Sequence, residues 1–540
     1  MALNIADLIE HTVDAVAERT AVICGDRQVS YVELDQRANR LAHHLAAAGV
    51  GEGDHIGIYS RNSIETIEAM FAAYKLRAVA INVNYRYVAE ELRYLFDNAD
   101  LVALVHERQY ASTVAEVLPS APKLRHVVVV DDDSGADYES YGGVEYEAAL
   151  AAQSPERDFG ERSADDLYIL YTGGTTGYPK GVMWRHEDVW RVLGGGIDFM
   201  TGEYVPDEWT MAEQAKESPG LVRMTISPLI HGAAQWAVFG ALFAGGTAVL
   251  VSQFDPHEVW RAIEKHRVQV LTFVGDAMAR PMLKAYQEGD YDASSAVAFS
   301  SHAALFSQSV KQAYLETFPN AVLTDAIGSS ESGFTGISMI TKDADHSQGP
   351  RVNFTKQAVL IDEAGKLIEP TPGAVGLIAR GGHVPLGYYK DPEKSKSIFA
   401  EIDGKRYVIP GDYGRYEDDG SVTLLGRGSQ CVNTGGEKVF PEEVEGALKS
   451  HPDVYDALVV GVPDERYGER VAALVQPQPG VSLDTAALDA HVRTKVAGYK
   501  VPRSYWIVPE IRRQPSGKPD YPWAKSYAEE HADSALAVTR

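Results

Sequence analysis

Two periods of apolar and polar residues alternate along the first half of the chain. HIGIYS (55–60), VAINVN (79–84), LVALVHE (101–107), HVVVVDD (126–132), TAVLVS (247–252) and VQVLTFV (268–274) are short apolar, β-branched runs, the pattern of strands buried on both faces. Between them, ETIEAMFAAYKL (65–76) and HEVWRAIEKH (257–266) space apolar residues three and four apart, as one helix face requires. This alternation predicts an α/β fold of parallel-type sheets carrying helices. From 365 to 380, GKLIEPTPGAVGLIAR shortens the strands and adds Gly/Pro turns, predicting a smaller β-rich subdomain.

The rhythm changes after about residue 430. EEVEGALKSHPDV reads as a helix, 456–477 as two strands joined by a turn, and a further helix follows. That is a compact α+β unit of a size that folds alone. GRGSQ (426–430) precedes it, serving either as a hinge, whose small residues absorb φ/ψ change, or as a plain linker. The expected division is 1–428 for a large N-terminal domain and 429–540 for a small mobile C-terminal domain.

AAQWAVFGALFAGGTAVLV (233–251) is apolar enough to suggest a membrane span, but Gln235 and the Gly245-Gly246 break predict a buried helix followed by a buried strand. A length of 540 residues suggests three or four folding units. The N-terminus lacks a basic flank and an uninterrupted apolar core, so no signal peptide is expected. Two cysteines, Cys24 and Cys431, fit a reducing cytoplasm rather than a disulfide framework. The net charge of −26 argues against a nucleic-acid partner. It also makes isolated cations within motifs informative, because anionic ligands would need them.

One such cation closes YTGGTTGYPKGV (171–182). Gly173, Gly174 and Gly177 permit close backbone approach, Thr172, Thr175 and Thr176 add hydroxyls, and Lys180 adds charge. A strand leading into such a loop is how backbone amides grip phosphate. It is not a Walker A loop, since Pro179 precedes the lysine and Gly181 follows it. The loop resembles that of the adenylate-forming superfamily, which includes acyl-CoA synthetases, luciferases and peptide-synthetase adenylation domains. The resemblance runs over nearly the whole chain, with later motifs in the family's order.

The resemblance implies activation of a carboxylic acid by ATP to an acyl adenylate, then transfer to CoA. Two anions must meet, so the chemistry depends on positioning and charge neutralisation. In AIGSSESGF (326–334), Glu331 matches the position of the magnesium carboxylate, and Thr172 that of a threonine in the same shell. Asp325, Gly328, Ser329 and Ser330 accompany it in the ATP site; Ile327 stands where relatives stack a tyrosine on adenine. In SSHAAL (300–305), Ala303 leaves room for a base, while His302 either meets the ligand or simply packs. Asp412 matches the ribose aspartate and Arg427 an arginine reading ribose or phosphate; Ser429 replaces the usual hinge Asp or Lys. Lys518 in QPSGKPDY (514–521) matches the lysine that contacts carboxylate and α-phosphate together. With Glu331 and Lys180 it forms the expected catalytic set.

VNTGGEKVFPEEVE (432–445) resembles the segment along the CoA arm, assigning Gly435, Gly436, Glu437 and Lys438 to CoA, with Lys500 at its nucleotide end. The acyl pocket is expected from His231, Trp236, Phe273, Gly275, Asp276, Met278 and Phe334. His231 either gates the channel or packs, and Asp276 either caps a helix or meets a polar substrate group. Small residues with an adaptable methionine suit a wide apolar cavity. The motif set is similar to actinobacterial synthetases for steroid side-chain carboxylates, making a steroid acid the leading substrate and a medium- or long-chain fatty acid the alternative. The segment 191–226 is longer than in many relatives and is expected to shape the pocket entrance. A non-catalytic binder or a carrier-protein loader is the reading from another class. Homodimerisation is a family-level expectation.

Overall fold

Helix and strand boundaries follow the hydrophobic periods closely. The computed structural model describes residues 3–172, 178–197, 203–302, 304, 306–342, 351–434, 437–464, 468–514 and 517–537. The apolar runs become strands His55–Tyr59, Val79–Asn82, Leu101–Glu107, His126–Val130, Thr247–Leu250 and Val270–Phe273. The two helical patterns become Ile64–Lys75 and Pro256–His266.

Three sheets organise the described residues. The first has a parallel half, in which Thr20–Cys24, Thr247–Leu250, Val222–Thr225, Val270–Phe273, Ala298–Ser301 and Val322–Ser329 lie side by side. It continues through antiparallel strands Gly333–Ile340 and Arg351–Phe354 into the Gly/Pro-rich region, whose strands include Val375–Arg380, Asp412–Tyr416 and Val422–Arg427. The β-rich subdomain is thus an extension of the large sheet. The second sheet runs from Gly387–Tyr388 through Lys180–Arg185, Leu167–Thr172, Val79–Asn82 and His55–Tyr59 to Leu101–Glu107 and beyond.

The helix Ile64–Lys75 is buried along its whole length. Even its charges are paired inside: Lys75 Nζ, with a fully buried side chain, lies 2.5 Å from Glu10 Oε1 and 2.7 Å from Asp35 Oδ1, as a charge removed from water requires. The helix Gly232–Phe243 also lies in the core. It spans only 12 residues before the break at Gly245-Gly246, and no helix among the described residues is long and apolar enough to cross a membrane.

The third sheet belongs to the small C-terminal unit. Val454–Asp464 and Gly468–Pro477 form its long antiparallel pair, and Ser504–Ile507 adds to it in parallel. Helices Pro441–Lys449 and Tyr521–Glu530 pack on it. The unit rests on the large domain at the helix Gly275–Glu288: the Arg280 guanidinium lies 5.3 Å from the Tyr455 ring centroid, and Gly517 abuts Val274 and Ala277. In the long segment after the Lys180 strand, the helix Thr210–Glu217 packs on the N-terminal helix Ile5–Val16, with Trp209 stacked on His11 at 3.5 Å. This part of 191–226 therefore covers the N-terminal helix rather than framing an entrance.

Candidate active site

Parallel sheets bind ligands beyond the carboxyl ends of their strands, where backbone groups are left open. The carboxyl ends of Val270–Phe273, Ala298–Ser301 and Val322–Ser329 lead into Gly275, His302 and the 328–333 turn. Facing them from the second sheet is the end of Leu167–Thr172, paired with Lys180–Arg185 so that Thr172 lies opposite Lys180. The side chain of Asn82 clamps this junction, exchanging hydrogen bonds with the Tyr171 backbone at 2.8 Å and donating to the Ile230 carbonyl at 2.7 Å. Gly173, Gly174, Thr175, Thr176 and Gly177 lie outside the described residues, as do Ala303, Gly435, Gly436 and the side chain of Lys438. Glu437 is exposed on the short strand Glu437–Val439.

The Glu331 turn is built from small hydroxyl residues. Ser329 Oγ accepts from the Glu331 and Ser332 amides at 3.2 and 3.0 Å, and the Ser330 carbonyl accepts from Trp184 Nε1 at 2.9 Å. A Cβ at Gly328 would run into the Gly333 carbonyl, so only glycine fits this bulge between antiparallel strands. Glu331 Oε1 accepts from the Tyr388 hydroxyl at 2.8 Å. Lys180 is paired with Asp391, which also caps the helix Pro392–Ser397. Asp412 and Arg427 are register partners on neighbouring strands, with Nε 3.2 Å from Oδ1.

The C-terminal unit delivers Lys518 to this cluster. Its loop is a narrow hairpin closed by the Gln514 amide on the Lys518 carbonyl at 2.8 Å. Arg513 holds the base of the hairpin by gripping Asp456 with two guanidinium nitrogens, at 2.9 and 2.7 Å, while Lys449 reaches the same carboxylate at 3.0 Å. Lys518 is exposed to solvent yet has protein close on most sides. Burial and the neighbouring Arg427 pull its ammonium below the ordinary lysine range, against the opposing pull of Glu331 and Asp412. Burial also keeps His231 and His302 neutral, lowering them to about 3 and about 4, with Lys518 adding to both effects. His231 Nε2 and both ring nitrogens of His302 have no hydrogen-bond partner among the described residues.

Other expected residues have different placements. Asp325 lies beneath the site, its carboxylate engaged by buried Lys311. Phe273 is fully buried, with its ring edge-on to Phe306 at 5.4 Å, a core position rather than a lining one. Asp276 accepts from the Ser307 amide at 2.8 Å and faces Arg280, so its carboxylate is engaged by protein groups. Gly275 starts its helix with φ +45° and donates to Ser301 Oγ at 3.1 Å. Trp236 packs edge-on against Tyr168 and Phe239. Met278 and Phe334 are partly buried at the rims of two core clusters. Lys500 is paired with both oxygens of Glu443, at 2.7 and 2.6 Å.

Sequence reasoning missed Asn82, Trp184, Tyr388 and Asp391, because each acts through long-range bonds that no local period announces. It also missed Tyr94, which stacks on Tyr178 at 4.2 Å and donates to the Pro179 carbonyl at 3.1 Å.

Known proteins resemble this chain over nearly its whole length. The chain is 59% identical over 531 residues to a 3-oxocholest-4-en-26-oate–CoA ligase of Rhodococcus rhodochrous, covering 97% of this chain and 96% of that protein. It is 58% identical over 530 residues to a medium/long-chain-fatty-acid–CoA/3-oxocholest-4-en-26-oate–CoA ligase of Mycobacterium tuberculosis H37Rv, covering 98% and 97%. The crystal structure of ATP-bound MatB from Rhodopseudomonas palustris superposes with a TM-score of 0.83 at 25% identity, over 98% of this chain and 99% of that one. Residues 443–518 match the C-terminal domain of the AMP-binding enzymes. With residues 9–389 matching the AMP-binding enzyme family itself, the chain belongs to that family.

Proposed function

We propose that the protein is an AMP-forming acyl-CoA synthetase that activates a bulky apolar carboxylic acid, foremost a steroid side-chain carboxylate. The observation that carries the chemistry is the convergence of Lys518, from the C-terminal unit, on Glu331, Asp412 and Arg427 of the large domain. The choice of acid is supported by the two ligases of 59% and 58% identity, whose names include 3-oxocholest-4-en-26-oate. The mycobacterial name also includes medium- and long-chain fatty acids, which favours those as the second reading.

In this reading, the acid's carboxylate approaches the α-phosphorus of ATP and expels pyrophosphate. Lys518 spans the two reacting anions and offsets the charge gathering between them. Asp412 accepts from ribose hydroxyls, and Arg427, held by Asp412, faces the phosphates. Neutral His231 and His302 offer ring nitrogens that have no hydrogen-bond partner among the described residues, so they hydrogen-bond ligand oxygens without adding charge. Lys180 exchanges Asp391 for phosphate. Glu331 fits a magnesium site because Tyr388 engages one oxygen, and magnesium takes few protein oxygens beside nucleotide phosphates. Glu331 would hold it with Thr172, and the ion would neutralise phosphate charge.

The second half-reaction needs Lys518 withdrawn so that the CoA thiol can enter, with Glu437, Lys438 and Lys500 along its path. We assign the moving unit to 429–540 against 1–428, and place the enzyme in the cytoplasm, consistent with Cys24 and Cys431 remaining thiols rather than a disulfide. The test is pyrophosphate release with magnesium, ATP, CoA and a panel of steroid and fatty carboxylates, ranked by kcat/KM. A steroid acid should rank first, and AMP release should rise when CoA is present. Absence of pyrophosphate with every acid overturns the reading, and AMP release indifferent to CoA overturns its thioester step.

A further inference from the structure

The segment around Tyr388 joins two parts of the site that the chain holds far apart in sequence. Gly387–Tyr388 is a two-residue strand paired antiparallel to Lys180–Arg185, with Tyr388 opposite Val182 and Gly387 opposite Met183. The pairing is extended by the Leu386 amide on the Met183 carbonyl and the Tyr389 amide on the Gly181 carbonyl, at 2.8 and 2.7 Å. The segment is pinned beyond the strand as well. The Tyr388 amide donates to Ser395 Oγ at 2.8 Å, and Ser395 Oγ donates to the Asp391 carbonyl at 2.7 Å. Tyr389 and Lys390 both reach Asp100, each at 2.7 Å. Gly387, at φ +148°, lies so close to Ser395 that a side chain there would collide with its hydroxyl.

The Tyr388 side chain is 7% exposed, and its ring lies 5.8 Å below the Lys180 ammonium. Its hydroxyl reaches across to the first sheet and donates to Glu331 Oε1 at 2.8 Å. A hydroxyl on an ionised carboxylate is one of the stronger hydrogen bonds available to a protein. Carboxylates that meet metal ions are commonly oriented in this way by a second partner.

We propose that Tyr388 is a positioning residue for the metal-bound step: its hydroxyl fixes one oxygen of Glu331 so that the other is turned toward the divalent cation. Because Tyr388 lies on the strand paired to that of Lys180, the same two-residue strand sets the metal carboxylate and the phosphate-loop lysine relative to each other. The inference rests on Glu331 holding magnesium. The acid and the CoA play no part in it, so the device serves nucleotide loading whatever the acyl group.

The full-length enzyme and its Tyr388→Phe, Glu331→Gln and doubly substituted forms test this. Calorimetric binding of a non-hydrolysable ATP analogue, titrated with magnesium and separately with manganese, gives a readout independent of turnover. Tyr388→Phe should raise the magnesium concentration for half-maximal analogue binding by about ten-fold, the low end for loss of an outer partner of a metal ligand. Thioester formation from supplied acyl adenylate, which needs no metal carboxylate, should persist and reports an intact fold. In the Glu331→Gln background the Tyr388→Phe change should add no further shift. An unshifted magnesium titration in Tyr388→Phe, or an equal further loss in the double variant, overturns the inference. If Glu331→Gln alone leaves the magnesium titration unchanged, the assignment of Glu331 falls, and the role of Tyr388 with it.

Discussion

Lys518 is a cation held beside another cation. Burial and Arg427 work against its charge, while Glu331 and Asp412 sustain it. A nucleotide with its phosphates in this cleft relieves that conflict, so the lysine is poised for an anionic partner. Replacing Lys518 with Ala should lower acyl-adenylate formation by at least about a hundred-fold, the usual cost of a lost charge-stabilising donor. Thioester formation from supplied acyl adenylate should persist, since the lysine has by then withdrawn. Single-turnover assays of the two half-reactions check this, and equal loss in both would remove Lys518 from its assigned role. The sequence motif was enough to nominate Lys518, because a Gly/Pro loop with one lysine can be recognised locally. Phe273 and Asp276 show the opposite case: position in a motif could not tell a core ring from a lining ring, or a carboxylate engaged by protein groups from one left for substrate.

At the scale of elements, the hairpin carrying Lys518 depends on a buried ion network outside the site. Asp456, on the strand Val454–Asp464, meets both Lys449 and Arg513, and these cations hold its carboxyl down at about 2 although burial alone would raise it. Asp456→Asn leaves two buried cations without their counter-charge, a change that costs about 3–5 kcal/mol in comparable networks. It should also loosen the Lys518 hairpin, reducing adenylation more than thioester formation. Because the folded carboxyl lies below its unfolded value of 3.8, the stability it contributes is full above that pH and is lost as pH falls toward about 2. Denaturation midpoints of wild type and Asp456→Asn should therefore be well separated at neutral pH and converge at the acid end. Unchanged half-reaction rates in a folded variant would show that the network only stabilises.

The whole molecule has two bodies, and one group at their junction is sensitive to pH. Glu442 opens the helix Pro441–Lys449 and lies against Gly426, just before Arg427 and Ser429 of the expected hinge. Burial, then the charges of Glu445 and Asp412, push its carboxyl up to about 8, and one of its oxygens has no hydrogen-bond partner among the described residues. The docked arrangement therefore holds Glu442 protonated at neutral pH. A raised folded value means that its contribution is fully present below about 4.5 and is lost as pH rises through about 8. Glu442→Gln should match wild type in thermal midpoint near pH 5 and exceed it progressively toward pH 9, as followed by calorimetry. A constant gap across that range would show that Glu442 does not titrate at the junction. Movement of the C-terminal unit away from Gly426 would release the carboxyl to water, so alkaline conditions should favour the thioester-forming arrangement over the adenylating one.

Much of this architecture is local in origin and therefore legible in the chain. Strand and helix patterns, the buried helix–strand pair at 232–250, the change of rhythm near 430 and the nucleotide motifs all follow from short-range periodicity and turn chemistry. Those signals fix which segments become elements, because each segment's pattern is satisfied within a few residues. Which elements meet is decided by packing in three dimensions. Only the fold sets Tyr388 on Glu331, Asp391 on Lys180 and Glu442 against Gly426, across separations that no local pattern spans. The same holds for the helix Thr210–Glu217, whose apolar face found the N-terminal helix instead of the pocket entrance. A hydrophobic face requires burial but does not name its partner, and a buried charge requires a counter-charge without saying from where.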